Sequence, residues 1–394
     1  MVRSTPPSRG GLRNAGTTSD LALAASPRLR AAAAKRTAVP EWLVESFITP
    51  IISTPSDTLL QPSEDPAAVG ADRYGGAVAT EGLTQPDLNP AQQQVLDLLG
   101  ATADERPTFE PTLRHELRAD LEHQLAHLAG DLDPDDPFFV SKHKLGSVHG
   151  CEVRMLADEA VGFEWSVPTA RGTVAHKAIE LSVNWRGEPT PAELVDESIA
   201  RLANGGDSLA EFLQRASEVD RVELRGEALD RVTKFSESFP PLLARWRPVT
   251  ESRARVELAD GRIVLSGKVD LSLGQAKGTT AGKVLIDLKT GGFAPVHLDD
   301  LRFYALLETI RIGVPPRLVA TYYLDSGTPR TESVTVGLLE ATVARVADGV
   351  DRLVGLAHGT VEPRLRPGPA CRWCVALADC ETGRAHLDDH DDWA

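Results

Sequence analysis

Apolar positions take on a regular period only from about residue 89 onward. Asn89, Pro90 and Ala91 set a capping side chain before a proline at the first helical turn, which predicts a helix running to Leu99. Leu113, Leu117, Leu121 and Leu125 recur every four residues and predict a helix over 110–130, ended by the Asp-Pro pairs at 131–137. Helical spacing returns at 141–158 and 172–185, continues through a polar stretch holding Gly205 and Gly206, and covers about 220–247. Alternation then predicts strands at 253–258 and 262–273, joined by an Asp260-Gly261 turn, and after a glycine-rich turn an apolar strand at 283–289. A helix at 298–312, strands at 317–324 and 331–336 and a helix at 338–357 complete the pattern. This order predicts a mixed α/β domain around one central sheet flanked by helices. There is no internal repeat.

Residues 1–88 have another character. They are rich in Pro, Ser, Thr, Gly and Ala and are expected to be mostly disordered, with one apolar stretch at 42–52 able to dock. The first 36 residues carry seven Lys or Arg and one Asp and lack the apolar core of a signal peptide. The organisation expected is an N-terminal extension, a helical segment at 89–137, a compact domain at 138–385 and an acidic tail at 386–394. No run of 18 apolar residues exists, so no membrane-spanning helix is expected and the cytoplasm is the default compartment. The 57 Asp plus Glu exceed the 42 Lys plus Arg, giving a net charge of −15. That balance excludes a general polyanion-coating role, so any nucleic acid must be met by local positive charge. Two methionines and 5% aromatics leave few candidates for stacking on bases.

Three segments carry the candidate chemistry. Asp287 and Lys289 end the apolar run Val284-Leu285-Ile286 and, two apart on a strand, project from one face. A carboxylate and an ammonium side by side at a strand end suit a hard divalent cation on Asp287, with Lys289 beside the water that the metal polarises. Asp270 ends the preceding hairpin strand, and antiparallel neighbours bring both carboxylates to one point. His176 and Glu180 share a helix face with Ile179 and Val183 and are expected to point into the same cleft. Each feature alone is commonplace; their joint order with the right elements between them is the signal.

These segments resemble the PD-(D/E)xK nuclease superfamily, and within it the RecB-like exonucleases. Gly172 with His176, Gly267 with Asp270, and Asp287 with Lys289 match the three successive motifs of that group. A final Gln-x-x-x-Tyr motif falls on Asp300 to Tyr304, with Asp300 in place of the glutamine. The resemblance implies a restriction-endonuclease-like core over about 138–385 and hydrolysis of DNA phosphodiester bonds with Mg²⁺ or Mn²⁺. It implies His176, Asp270, Asp287 and the Leu288 carbonyl as metal ligands and Lys289 as the residue that positions water. Glu180 is a further catalytic candidate, expected to aid a second metal site, while Tyr304 and Arg302 are candidates for substrate contact.

Cys371, Cys374 and Cys380 lie together near the C-terminus and Cys151 lies 220 residues upstream. Without a secretory signal this spacing speaks for metal or redox chemistry rather than a disulfide framework. It matches neither a ferredoxin run nor a zinc ribbon. It is similar to the iron–sulfur members of the RecB-like group, which implies a [4Fe–4S] cluster stapling the start of the domain to its end; zinc or unligated thiols are the alternatives. Arg364, Arg366 and Arg372 near the cysteines, and Arg171, Lys177 and Arg186 near His176, are candidates for a phosphate-binding groove. Gly278 to Lys283 does not make a phosphate-binding loop, so any helicase partner is a separate polypeptide. The expected activity is a DNA exonuclease of repair or recombination. A catalytically inactive DNA- or partner-binding module of the same fold is the rival, and a redox or iron sensor the third reading.

Overall fold

The computed structural model describes residues 87–391. The expectations for the N-terminal extension, including the apolar stretch at 42–52, fall outside the described residues. The described residues begin with α1 (Pro90–Leu99) and α2 (Leu113–Leu125), then strand β1 (Phe138–Val140) and helices α3 (Lys142–His149), α4 (Glu152–Val161) and α5 (Val167–Val183). Three further helices follow, α6 (Pro191–Ala203), α7 (Ser208–Arg215) and α8 (Glu218–Ser238). The hairpin β2 (Val249–Leu258) and β3 (Ile263–Leu273) leads to β4 (Val284–Lys289), α9 (Val296–Ile312), β5 (Leu318–Tyr323), β6 (Thr328–Ser333), α10 (Val336–Ala357) and α11 (Glu381–Asp391).

The six strands form one mixed sheet in the order β1-β3-β4-β5-β6, with β2 on the other edge of β3. β2 pairs along nearly all of β3, so β1 and β4 must share the remaining edge. β1 runs parallel to the first part of β3 and ends with Val140 opposite Leu265. β4 runs antiparallel to the last part and starts its pairing at Leu273. The C-terminal ends of β1 and β4 therefore converge on one gap beside β3, over residues 266–270. That fork is the geometric fact on which the site rests.

Each sheet face carries its own core. One face packs Leu113, Leu117, Leu121 and Leu125 of α2 with Leu145, Leu301, Tyr304, Val343 and Val350, over Leu265, Val269, Leu285 and Val319. The other packs Val95, Val174, Ile179, Leu224 and Val232 over Leu271, Ile286, Leu288, Ala320 and Tyr322. β4 thus alternates as a two-residue period demands, and it turns Leu285, Asp287 and Lys289 toward α9 and α3.

Several boundaries differ from the sequence reading. The helix expected at 141–158 is two helices, broken at Gly150 and Cys151. The helix over 172–185 begins earlier, at Val167, where Ser166 and Thr169 form a capping box and Pro168 sits in the first turn. The helix expected to reach 247 stops at Ser238, because Pro240 and Pro241 cannot continue it. β2 starts at Val249 rather than 253, and β1 had no prediction at all; three residues are too few to show a period. The expected acidic tail from 386 overlaps α11, which runs to Asp391. Among the described residues no helix is long and apolar enough to cross a membrane.

Candidate active site

The fork gathers charged side chains from five elements. From the end of β4 come Asp287, fully buried, and Lys289, whose Nζ lies 2.8 Å from Asp287 Oδ2. From the first turn of α3 comes Lys142, whose Nζ lies 2.7 Å from Asp287 Oδ1 and 3.7 Å from Asp300 Oδ2 on α9. Asp300 is also 3.4 Å from Lys289. Asp270, on β3, accepts a 2.8 Å hydrogen bond from the Leu288 N–H through Oδ2 and faces His176 Nδ1 at 3.4 Å through Oδ1. An extended residue presents its N–H and C=O to the same edge, so Leu288 turns its carbonyl toward β3 as well.

Local irregularity aims Asp270 into the fork. Val269 belongs to one sheet face and Leu271, two residues on, to the other, so the alternation of β3 breaks between them. The β2–β3 register places Glu251 opposite Asp270, between Thr250–Leu271 and Ser252–Val269, and Glu251 has a left-handed φ of 54° within its strand. Such a conformation costs a non-glycine residue about 1–3 kcal/mol and collects at functional positions. Glu251, Asp270 and His176 bring one ligand atom each within 4.8 Å of one another. Sequence reasoning missed Glu251, yet the signal was present: counting outward from the Asp260-Gly261 hairpin pairs 270 with 251. Glu251 also forms an ion pair with Lys268.

The electrostatics are those of a tightly coupled group. Burial works to raise the Asp270 carboxyl, but His176, Lys142 and the Leu288 N–H outweigh it and hold its pKa below the ordinary value. Burial likewise opposes the charged form of His176, yet Asp270, Asp287 and Glu251 raise its pKa. Lys142 loses hydration by burial but is raised by Asp287, Tyr304 and Asp270, so it stays an ammonium. Burial pushes the Tyr304 hydroxyl up to about 12. Asp287 Oδ2 is buried and makes no well-oriented hydrogen bond, although Lys289 stands beside it.

Not every residue expected at the site reaches it. Asp287 stands between two lysines, outside the tight group of His176, Glu251 and Asp270. Glu180 is engaged by Lys177 at 2.8 Å and stays outside that group. Arg302 gives its guanidinium to Glu332 at 2.6 and 2.8 Å and to Asp299 at 3.1 Å, because its helical position turns it away from Tyr304. Tyr304 is 2% exposed and lies beneath the site, with Lys142 4.9 Å from its ring centroid. It packs where β3 has no side chain: a Cβ on Gly267 would lie 2.4 Å from Tyr304 Cε1. Tyr304 therefore packs against Lys142 and β3. Of the basic groove candidates, Arg171 is held by Glu227 and the Thr290 carbonyl, and Arg366 by the His149 carbonyl.

The cysteines lie where α4 meets the C-terminal segment. Cys151 stands at the N-cap position of α4, and Glu152 beside it is buried and clamped by Arg352 and by the Arg364 N–H. A Cβ on Gly383 would lie 3.2 Å from Cys380 Sγ, 3.3 Å from Leu377 Cδ1 and 3.6 Å from Cys371 Sγ, so α11 packs closely against these two thiols. Burial raises the Cys374 thiol, and Cys151 adds to the effect. Among the described residues no three cysteines bring Sγ atoms within 4.8 Å of one another. Four thiolates on zinc would stand about 3.8 Å apart.

The family model of the PD-(D/E)XK nuclease superfamily matches residues 140–381, more than half of the chain. The chain belongs to that superfamily. Among solved structures it is similar to a protein from Eubacterium rectale described as a candidate exonuclease, at 12% identity over 73% of this chain and 93% of that one, with a TM-score of 0.38. It is also similar to the protein SSO0001, at 13% identity over 68% of this chain and 95% of that one, with a TM-score of 0.28. No curated protein matches the chain.

Proposed function

We propose that the protein is a metal-dependent deoxyribonuclease of the RecB-like exonuclease type, acting on DNA in repair or recombination in the cytoplasm, with any helicase on a separate chain. The observation that carries this reading is the convergence at one fork of Asp270, Asp287, Glu251 and His176 with Lys289 beside Asp287. These residues fit a hard divalent cation: three donors lie within 4.8 Å of one another, and a neighbouring buried carboxylate oxygen lacks an oriented hydrogen bond. His176, Glu251 and Asp270 would hold it, with Asp287 and the Leu288 carbonyl closing the site from β4. A bound Mg²⁺ or Mn²⁺ lowers the pKa of water and neutralises phosphate charge. Lys289 positions the attacking water and stabilises the negative charge that develops on the phosphate oxygen. Asp300 orients Lys289, and Lys142 balances the charge of both carboxylates.

The cysteines are read as ligands of a [4Fe–4S] cluster. Supporting this are the meeting of α4 with the C-terminal segment, where Arg154 donates to the Ala370 carbonyl at 3.2 Å, and the electrostatic influence of Cys151 on Cys374. Cys151 and the C-terminal three would then tie α4 to α11 and act structurally.

A second reading, a non-catalytic DNA- or partner-binding module, is favoured by one observation: Asp287 already has an ammonium beside each oxygen. Incubation of anaerobically purified protein with end-labelled DNA and Mn²⁺ separates the two. The nuclease reading expects cutting that Lys289→Ala lowers by at least about a hundredfold. An inactive wild type that binds DNA would favour the module.

A further inference from the structure

The loop leaving β4 holds features that the site's own chemistry does not use. Its start is fixed by Arg171, which donates to the Thr290 carbonyl at 3.1 Å, and its end by His297, whose Nδ1 accepts from the Ala294 N–H at 3.4 Å. Between these anchors stand Gly291, Gly292 and Phe293. Neither glycine has a positive φ, and a Cβ on either would meet nothing within 4 Å. Among the described residues nothing therefore requires glycine at these positions. A ligand backbone passing close over the loop would require it.

Phe293 follows immediately and is 49% exposed. Arg330 of β6 lies over its ring, 4.4 Å from the centroid, and Tyr323 stands edge-on at 6.5 Å. Tyr323 is the cross-strand partner of Lys289, and its hydroxyl lies 3.1 Å from His297 Nδ1. The aromatic ring is thus set four residues and one cross-strand neighbour from the proposed water-positioning lysine. A half-exposed ring with a guanidinium on it beside an open glycine track has the two properties that hold an unpaired nucleotide: a flat apolar face and a nearby cation. A paired base presents only its edge, since its faces are covered by its neighbours in the stack.

We propose that Gly291, Gly292, Phe293 and Arg330 form a seat for one unpaired nucleotide next to the scissile phosphate, and that the substrate is single-stranded DNA. The seat rests on the nuclease reading for its substrate class and adds the strandedness. The sugar–phosphate backbone crosses the two glycines, the base stacks on Phe293, and Arg330 meets the adjoining phosphate.

The test is binding without cutting. Fluorescence anisotropy of the full chain, in chelator, compares a fluorescein-labelled single strand with the same sequence as a blunt duplex. Phe293→Ala is expected to weaken single-strand binding about tenfold and leave duplex binding unchanged. Phe293→Trp should restore it, and a 2-aminopurine base in the strand should lose its stacking quench in the alanine variant alone. Gly292→Val should weaken the single strand like Phe293→Ala. Unchanged single-strand binding by Phe293→Ala, or an equal loss on both substrates, overturns the proposal. Metal-dependent cleavage insensitive to Phe293 would sink the seat and leave the nuclease reading standing. Phe293-dependent binding without any cleavage would do the reverse.

Discussion

Asp287 is fully buried, and two ammonium groups reach it, Lys142 at 2.7 Å and Lys289 at 2.8 Å. Only Lys289 belongs to the motif that the sequence displays. On the proposed reading, a divalent cation reaching Asp287 would compete with Lys142 for the same carboxylate, and at such distances the repulsion would amount to several kcal/mol even at an effective dielectric of about 20. Lys142→Met should therefore bind Mn²⁺ about tenfold more tightly in a titration followed by electron paramagnetic resonance, while the metal-free protein melts lower. Weaker binding would mean that Lys142 supports the metal rather than competing with it. Gly267 is the second residue whose identity the site fixes. An alanine there collides with Tyr304, so Gly267→Ala should destabilise the protein by about 1–3 kcal/mol in denaturant unfolding. His176, Asp270, Asp287 and Lys289 were legible because each sits at a fixed offset on an element with a clear period. Lys142 was not, because β1 before it is too short to announce a strand end. Asp300 looked like a departure from its motif, but beside the two lysines it is the extra acid that Lys142 balances.

At the scale of elements, two connections decide the architecture. The β2–β3 hairpin keeps one register from Leu258–Ile263 to Val249–Ser272, and this brings Glu251 to Asp270. The alternation over 253–258 was visible in sequence, but the start of β2 was hidden by the left-handed residue that makes it useful. The other connection is α4 to the C-terminal segment, where Glu152 is 1% exposed and accepts from the Arg352 Nε at 2.9 Å and the Arg364 N–H at 2.7 Å. Nothing local marks Glu152 as a clamp, because its partners lie 200 and more residues away. Glu152→Ala removes the carboxylate paired with Arg352, which keeps only the Glu362 carbonyl and the more distant Asp348 and Asp351, and should cost about 3 kcal/mol in unfolding free energy. If the cysteines hold a cluster, the same variant should release iron faster under chelation, since Cys151 is its neighbour.

For the molecule as a whole the net charge is −15, and at the fork two lysines and a histidine stand among the carboxylates. Its pH behaviour follows from one coupled pair. His176 is raised above its ordinary 6.5, so its contribution to stability is complete below that value and is lost as pH rises through the folded pKa. Asp270 is lowered from 3.8, so its contribution is complete above that value and is lost as pH falls through the folded pKa. Melting in chelator should therefore show the largest deficit for Asp270→Asn relative to wild type between about pH 4 and 6.5, shrinking on either side. A deficit independent of pH would assign the loss to packing alone. The layered architecture itself was legible from the order of helices and strands; the fork was not, since it depends on two strands of different direction sharing one edge of β3.

The most direct measurement is Mn²⁺ binding to the metal-free protein, followed by electron paramagnetic resonance of free Mn²⁺, beside Asp270→Asn and Glu251→Gln. Saturable binding that both substitutions weaken by tenfold or more is the predicted result. Binding that neither substitution changes, or none at all in the wild type, would contradict a divalent-metal centre at the fork.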